Sequence, residues 1–262
     1  MSQEEEEVLF HCEPLFHDSL LINHSFVFKY KDHDDNLITK RLKNIHTITK
    51  KYDHSLQCDV DAWPGSILGC ELISNNIHWI ENKDILEIGC GTGLPGICCS
   101  FLAKSVIVSD HPNSDVIDTI NYIKHENNKY KDNMDKIIPI HLDWCNSNAS
   151  NTNTIDSKYD FLILSELLWE QTIQYKDDLF HMTNRLLKLQ GEAIILWSDR
   201  ETSTHKKEDN LKFIELFQKS NQYNVTHLTT KDMKDIISED EEGEDNKSKT
   251  IKVHAYHVKK II

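Results

Sequence analysis

Glycine at positions 89, 91 and 93, with a glutamate at 87, is the densest chemical signal in this chain. Residues without a Cβ reach positive φ freely and let backbone N–H groups approach a ligand closely, as a binding turn between a strand and a helix requires. The run Gly91-Thr-Gly93-Leu-Pro-Gly96 also matches G-x-G-x-x-G, and Asp110 stands at about the spacing of an acid that binds a ribose, so a dinucleotide is one reading. Glu87 argues for another. A carboxylate just before the glycines repels a pyrophosphate and suits a ligand carrying an ammonium group and a sulfonium, as S-adenosylmethionine does. The first glycine also follows Ile88 directly, one step early for a pyrophosphate turn. A turn without a ligand is a third reading, although three glycines cost backbone entropy that a plain turn does not need.

The elements that must hold this turn follow from the apolar pattern. Residues 84–88 read as a short buried strand running into the glycines, and residues 94–103 as a helix of small residues. A second strand at 105–109 ends at Asp110, and Val116, Ile117, Ile120 and Ile123 mark a helix over 114–127. Strands at 136–142 and 159–165, a helix near 176–189 and a strand at 192–197 continue the alternation. Repeated βα units predict an α/β, Rossmann-like architecture, a seven-stranded and mostly parallel sheet with helices on both faces. After a helix near 206–220, segments 223–229 and 250–258 read as a C-terminal β-hairpin. Upstream, residues 25–30 and 37–41 read as a small hairpin and 66–79 as an amphipathic helix, while the polar stretch 146–157 reads as a surface loop. The expected organisation is an N-terminal extension over 1–57, with an acidic tail and the small hairpin, and one core domain over 58–262 that carries an acidic loop at 238–247.

Composition narrows the function classes. The chain has 262 residues, 39% of them apolar, enough for one sizeable core. Its 43 acids against 29 bases give a formal charge of −14, which disfavours a nucleic-acid partner. Ten of those acids lie in two runs, four at residues 4–7 and six at 239–245, and without them 33 acids face 29 bases. The body is therefore close to neutral and the runs read as solvated segments. The seven cysteines include no C-x-x-C pair, which fits reduced thiols in the cytosol and no metal site. The longest near-apolar stretch, residues 93–103, is too short to span a bilayer, so no membrane association is expected.

The sequence DILEIGCGTGLPG at residues 84–96 resembles the first motif of class I, seven-β-strand S-adenosylmethionine-dependent methyltransferases. More narrowly, the chain resembles the protein-methylating branch related to nicotinamide N-methyltransferase, which includes protein-lysine methyltransferases and the N-terminal methyltransferase of translation elongation factor 1-alpha. The supporting segments span about residues 58–200: Asp61-Ala-Trp-Pro-Gly65, the Leu-Pro after the glycines, Ser109-Asp-His-Pro112, Asp143-Trp144 and Leu164-Ser-Glu-Leu-Leu-Trp169. The resemblance implies that Trp63 lies against the cofactor and that Gly89, Cys90, Gly91 and Gly93 wrap its methionine portion. It further implies that Asp110 holds both ribose hydroxyls, that Trp144 flanks the adenine, and that Ser165 lines the pocket. Related lysine methyltransferases carry Asp-x-x-Tyr where this chain has Glu166-Leu-Leu-Trp169. The acid is kept and the phenol is not, which leaves Glu166 to meet an incoming ammonium and Trp169 to offer it a π face.

The implied reaction is methyl transfer to a protein amine, either the N-terminal amine or a nearby lysine of elongation factor 1-alpha, by a monomer in the cytosol. A lysine on another protein, such as a chaperone or an ATPase, and a non-catalytic scaffold are the competing readings. Transfer from a sulfonium asks the protein to align donor and acceptor, worth roughly 7–11 kcal/mol, and to favour the neutral amine. No catalytic triad is required. The acidic runs are expected to steer a basic partner. Neutralising residues 4–7 and 239–245 should slow association with the protein substrate and flatten its salt dependence, measured by stopped-flow mixing at two ionic strengths.

Overall fold

The computed structural model describes residues 19–31, 37–50, 63–112, 116–128, 133–145, 158–170, 172–199, 207–234 and 250–262. The acidic runs, the loop at 146–157 and the acidic connection at 238–247 lie outside them. In chain order the elements are β1 (Ser19–Lys31), β2 (Leu37–Lys50), α1 (Pro64–Asn75), β3 (Asp84–Ile88), α2 (Leu94–Ser100), β4 (Ser105–Asp110), α3 (Val116–Asn128) and β5 (Ile137–His141). Then follow β6 (Tyr159–Ser165), α4 (Lys176–Leu186), β7 (Leu187–Ser198), α5 (Lys207–Lys219), β8 (Tyr223–Lys234) and β9 (Thr250–Lys260).

Seven strands form one sheet in the order β5-β4-β3-β6-β7-β9-β8. The first five run parallel, and β9 enters antiparallel between β7 and β8. The expected α/β sheet and its C-terminal hairpin are both present. Side chains alternate across the sheet as a period of two demands. Ile85, Phe161, Ile163, Ile194 and Leu196 face a core shared with Leu68, Ile73, Ile97 and Ile120 from α1, α2 and α3. Leu86, Leu162, Leu164, Ala193 and Ile195 face the opposite core, filled by Leu179 and Met182 of α4 and by Phe213 and Phe217 of α5. Burial on both faces explains why the strands read as continuous apolar runs. The N-terminal hairpin is a separate two-stranded sheet, longer than expected, and its strands pack against α1 and α3.

Three expectations require correction, the first being the helix expected over 94–103, which ends at Ser100. The helix expected over 66–79 ends at Asn75, and Ile77–Trp79 forms a separate 3₁₀ turn. It is not amphipathic either: α1 packs against β1 as well as against β7 and β9, and in it only Glu71 and Asn75 are exposed. The helix expected over 176–189 stops at Leu186, because Leu187 already pairs with Tyr159 and begins β7.

The strand order reverses between β4-β3 and β6-β7, and in open α/β sheets ligands bind outside the carboxyl ends of the strands at such a point. Helix α2 reaches this edge by lying very close to the sheet. A Cβ on Gly96 would collide with Val108 Cγ1 and stand 2.7 Å from Glu87 Oε2. Gly96→Ala should therefore cost about 1–3 kcal/mol through overpacking, read as a lower urea midpoint with an unchanged slope.

Candidate active site

Strand β3 ends in a turn built from left-handed backbone. Gly89, Gly91 and Gly93 have φ of 62°, 51° and 66°. Gly93 donates its N–H to Cys90 O at 2.7 Å, and Cys90 donates to Ser109 O at 2.9 Å, which binds the turn to the end of β4. Two of the glycines are also demanded by crowding. A Cβ at Gly89 would strike Leu167 Cδ2 and lie 3.7 Å from Trp144 Nε1, and one at Gly93 would lie 2.6 Å from Ile120 Cδ1. A Cβ at Gly91 would meet nothing within 4 Å, so the turn is open on that side.

The carboxyl end of β4 supplies Asp110. Its Oδ2 accepts the Gly91 N–H at 2.9 Å and its Oδ1 the His111 N–H at 2.8 Å. These bonds fix the carboxylate beside the open glycine. Trp144 is buried next to the turn, following Asp143, whose Oδ1 accepts the Cys145 N–H at 3.0 Å and lies 3.8 Å from His111 Nε2. Cys90 is buried as well, and loss of solvation pushes its thiol well above its usual range, so this residue shapes the turn and is no nucleophile.

Glu87 lies beneath the turn with 1% of its surface exposed. Its Oε2 accepts the Gly96 N–H at 2.8 Å, in the first turn of α2. Burial pushes its carboxyl up to about 8, opposed by that hydrogen bond and aided by the nearby charge of Asp110.

Strand β6 brings in Ser165, buried, with its Oγ 3.4 Å from Ser66 Oγ of α1. Glu166 follows with φ of 56°. Its Oε1 accepts the Gly65 N–H at 2.9 Å and the Ser198 hydroxyl, and its Oε2 accepts the Ser198 N–H at 2.9 Å. Trp169 is 39% exposed. Its N–H donates to Thr172 Oγ1 at 3.0 Å, and the Thr172 hydroxyl donates to Leu167 O at 2.6 Å, which pins the indole's backbone. Trp63, half-buried, precedes α1 as its N-cap.

The residues expected from sequence thus fall along one edge of the sheet, on the ends of β3, β4 and β6, on the segment after β5 and at the start of α1. Ser66, Leu167 and Ser198 share that edge and were not singled out from sequence. A small or apolar residue carries no chemical signal, and only the pairing of strand ends shows its place. The same edge continues past Ser198 in a hydrogen-bonded chain: Asp199 Oδ1 to His254 Nε2 at 2.9 Å, His254 Nδ1 to Thr230 Oγ1 at 2.9 Å, and Thr230 Oγ1 to His227 Nε2 at 3.1 Å.

Residues 42–220 match the lysine methyltransferase family, more than half of the chain. The chain belongs to that family. The enzyme uses S-adenosylmethionine, as the family and the fold imply, and the turn fits that donor: Gly91 leaves room for it, and Asp110 offers two carboxylate oxygens beside that opening. The enzyme is 27% identical over 210 residues to the "Protein N-terminal and lysine N-methyltransferase EFM7" of Candida glabrata, covering 75% of this chain and 74% of that one. It is 26% identical over 160 residues to the "Protein-lysine methyltransferase METTL21E" of Mus musculus, covering 60% and 62%. Among solved structures, the PH1948 protein of Pyrococcus horikoshii aligns with a TM-score of 0.55 at 17% identity, over 82% of the enzyme and 93% of that chain. The precorrin-6y C5,15-methyltransferase of Geobacter metallireducens GS-15 gives 0.51 at 11% identity, over 81% and 98%. These two likenesses concern the fold. Among the described residues, no helix is long and apolar enough to cross a membrane.

The raised carboxyl of Glu87 has a sign that can be measured. The folded enzyme holds this proton up to about pH 8, whereas an unperturbed glutamate releases it near 4.5. The folded state therefore binds more protons than the unfolded chain between those values, and stability should fall as pH rises through that window. Urea unfolding at pH 5, 6.5 and 8 should show this decline in the wild type and a flatter profile in Glu87→Gln, which keeps an acceptor for Gly96 N–H without a titrating group.

Proposed function

We propose that the enzyme methylates the N-terminal amine, a nearby lysine, or both, of translation elongation factor 1-alpha, acting as a monomer in the cytosol. The observation that carries this reading is the match over three quarters of the chain to the fungal methyltransferase named for both N-terminal and lysine targets. The segments Ser109 to Pro112 and Leu164 to Trp169 support the same branch. The described cysteines are free thiols, in keeping with a reducing compartment.

In this reading Gly89, Cys90, Gly91 and Gly93 cradle the methionine portion of the donor, whose positive charge draws Glu87 beneath them, protonated below about pH 8 in the free enzyme, into the carboxylate form. Asp110 accepts the ribose hydroxyls through charge-assisted hydrogen bonds. Trp144 and Trp63 wall the adenosyl portion, and Ser165 lines the floor. Bound S-adenosylmethionine supplies a methyl group on a sulfonium, open to in-line displacement by a neutral amine. The protein's own part is to exclude water and to hold that amine on line. Trp169, exposed at the rim and fixed by Thr172, offers its π face to the amine while it is still charged, whereas the carboxylate of Glu166, expected to meet that ammonium, is engaged by Gly65 and Ser198. An α-amine has an unperturbed pKa about two units or more below that of lysine, so it is the easier of the two to present neutral.

Radiolabelled methyl transfer into lysate from cells lacking the enzyme, followed by mass spectrometry of the labelled band, tests the substrate. Label near the first residues of elongation factor 1-alpha is the expected result. Label on a lysine of another protein would instead move this enzyme toward relatives such as the mouse protein-lysine methyltransferase. Asp110→Ala should abolish labelling and weaken S-adenosylhomocysteine binding roughly a hundredfold, as expected for the loss of two charge-assisted hydrogen bonds, while the circular dichroism spectrum stays unchanged.

A further inference from the structure

We propose that Glu166 is a positioning residue: its carboxylate caps α1 from across the fold, ties that helix to the ends of β6 and β7, and thereby sets Trp63 against the donor. This rests on the reading of the crevice above Gly91 as the donor site with Trp63 as one wall.

Helix α1 starts without a cap of its own. Trp63, at the N-cap position, makes no side-chain cap bond, and Pro64 at the first helical position has no N–H to give. The first N–H that the helix presents is that of Gly65, and Glu166 Oε1 takes it at 2.9 Å from a residue 101 positions away. A carboxylate is well suited to the place, since the amino end of a helix carries partial positive charge. The fit is close. A Cβ on Gly65 would stand 2.7 Å from Glu166 Oε1 and 3.0 Å from both Cδ and Cγ, so the side chain of Glu166 fills the room that a side chain at 65 would use.

The other end of the tie is equally specific. Ser198, the last residue of β7 and itself buried, gives both its N–H and its hydroxyl to the same carboxylate. The Glu166 N–H donates to Leu196 O at 2.9 Å, which carries the β6–β7 pairing one residue beyond β6. To aim its side chain this way, Glu166 adopts a φ of 56°, a conformation that residues with a Cβ avoid and that persists only where the surroundings impose it. Ser165 adds a neighbouring contact to Ser66 of α1 at 3.4 Å. The two ends of the Glu166-Leu-Leu-Trp169 segment thus divide the work. Its acid points into the fold and holds the donor wall, and its aromatic stands at the rim for the amine.

The test is a double-mutant cycle with Glu166→Gln, Ser198→Ala and the combination, titrating S-adenosylhomocysteine by calorimetry and measuring KM for S-adenosylmethionine and for the protein substrate. Each single variant should weaken S-adenosylhomocysteine binding roughly tenfold, as expected for a lost hydrogen bond to a charged group, and should raise KM for the donor in step. The combined variant should be no worse than the weaker-binding single one, because both changes cut the same tie. KM for the protein substrate should hold within twofold. Additive losses, or a rise confined to the protein-substrate KM, would overturn the proposal. A fall in kcat with both KM values unchanged would also overturn it, since that is the mark of a smaller folded fraction alone. If Glu166→Gln fails to fold, Ser198→Ala decides by itself, and unchanged donor affinity in that milder variant sinks the idea. The wild type is titrated alongside: no binding there would remove the donor site itself, whereas intact wild-type binding with unaffected variants removes only the tie.

Discussion

A carboxyl group almost sealed from water lies under the loop that follows β3, and the arrangement above it depends on how that group is satisfied. Glu87 is 1% exposed and gives one oxygen to the Gly96 N–H, so the amino end of α2 is drawn onto the sheet. A buried carboxylate without a partner is costly, and here burial is met in two ways, by a backbone donor and by a raised proton affinity. The close approach leaves no room for a side chain at 96. Between Ile88 and Leu94 the chain passes through three residues in left-handed backbone, a conformation that glycine adopts without strain. The opening at Gly91 is what remains once the rest of the turn is packed.

Around that opening, the site is assembled by strand ends and by few side chains of unusual chemistry. Parallel strands put β3, β4 and β6 carboxyl ends on one edge, and the reversal of order at β3 leaves a gap between the segments that leave them. Asp110 is held to the turn by the Gly91 N–H and steadied by the N–H of its neighbour His111, so it is already in place when a ligand arrives. Such preorganisation is the main contribution a protein can make to a displacement in which the substrate and the donor hold all the reacting atoms.

The sheet and its central turn were legible in the sequence because each strand buried on both faces leaves a short apolar run, and each is followed by a break. The same logic explains where sequence reading erred. Around Leu186 and Leu187, apolar residues continue without glycine or proline, so helix runs into strand with no sign, and only the pairing of Leu187 with Tyr159 shows the change. Helix α1 misled for a different reason: it packs against β1 as well as against the sheet, and a helix buried nearly all round has no polar face to report. In the site, Asp110 and the glycines could be read because their types and spacing are chemical. The bonds of Glu166 could not, since its partners lie 101 and 32 residues away and are a glycine and a serine.

The placement of β9 bears on how the chain is made. Among the described residues it is the last strand in chain order, wedged between β7 and β8, and β8 has no other neighbour in the sheet. A nascent chain that has emerged as far as Lys234 therefore offers β8 nothing to pair with, and β7 keeps one flank bare. The sheet can close only once the stretch through Lys260 has been made, and until then two unsatisfied strand edges are exposed to chaperones or to other chains.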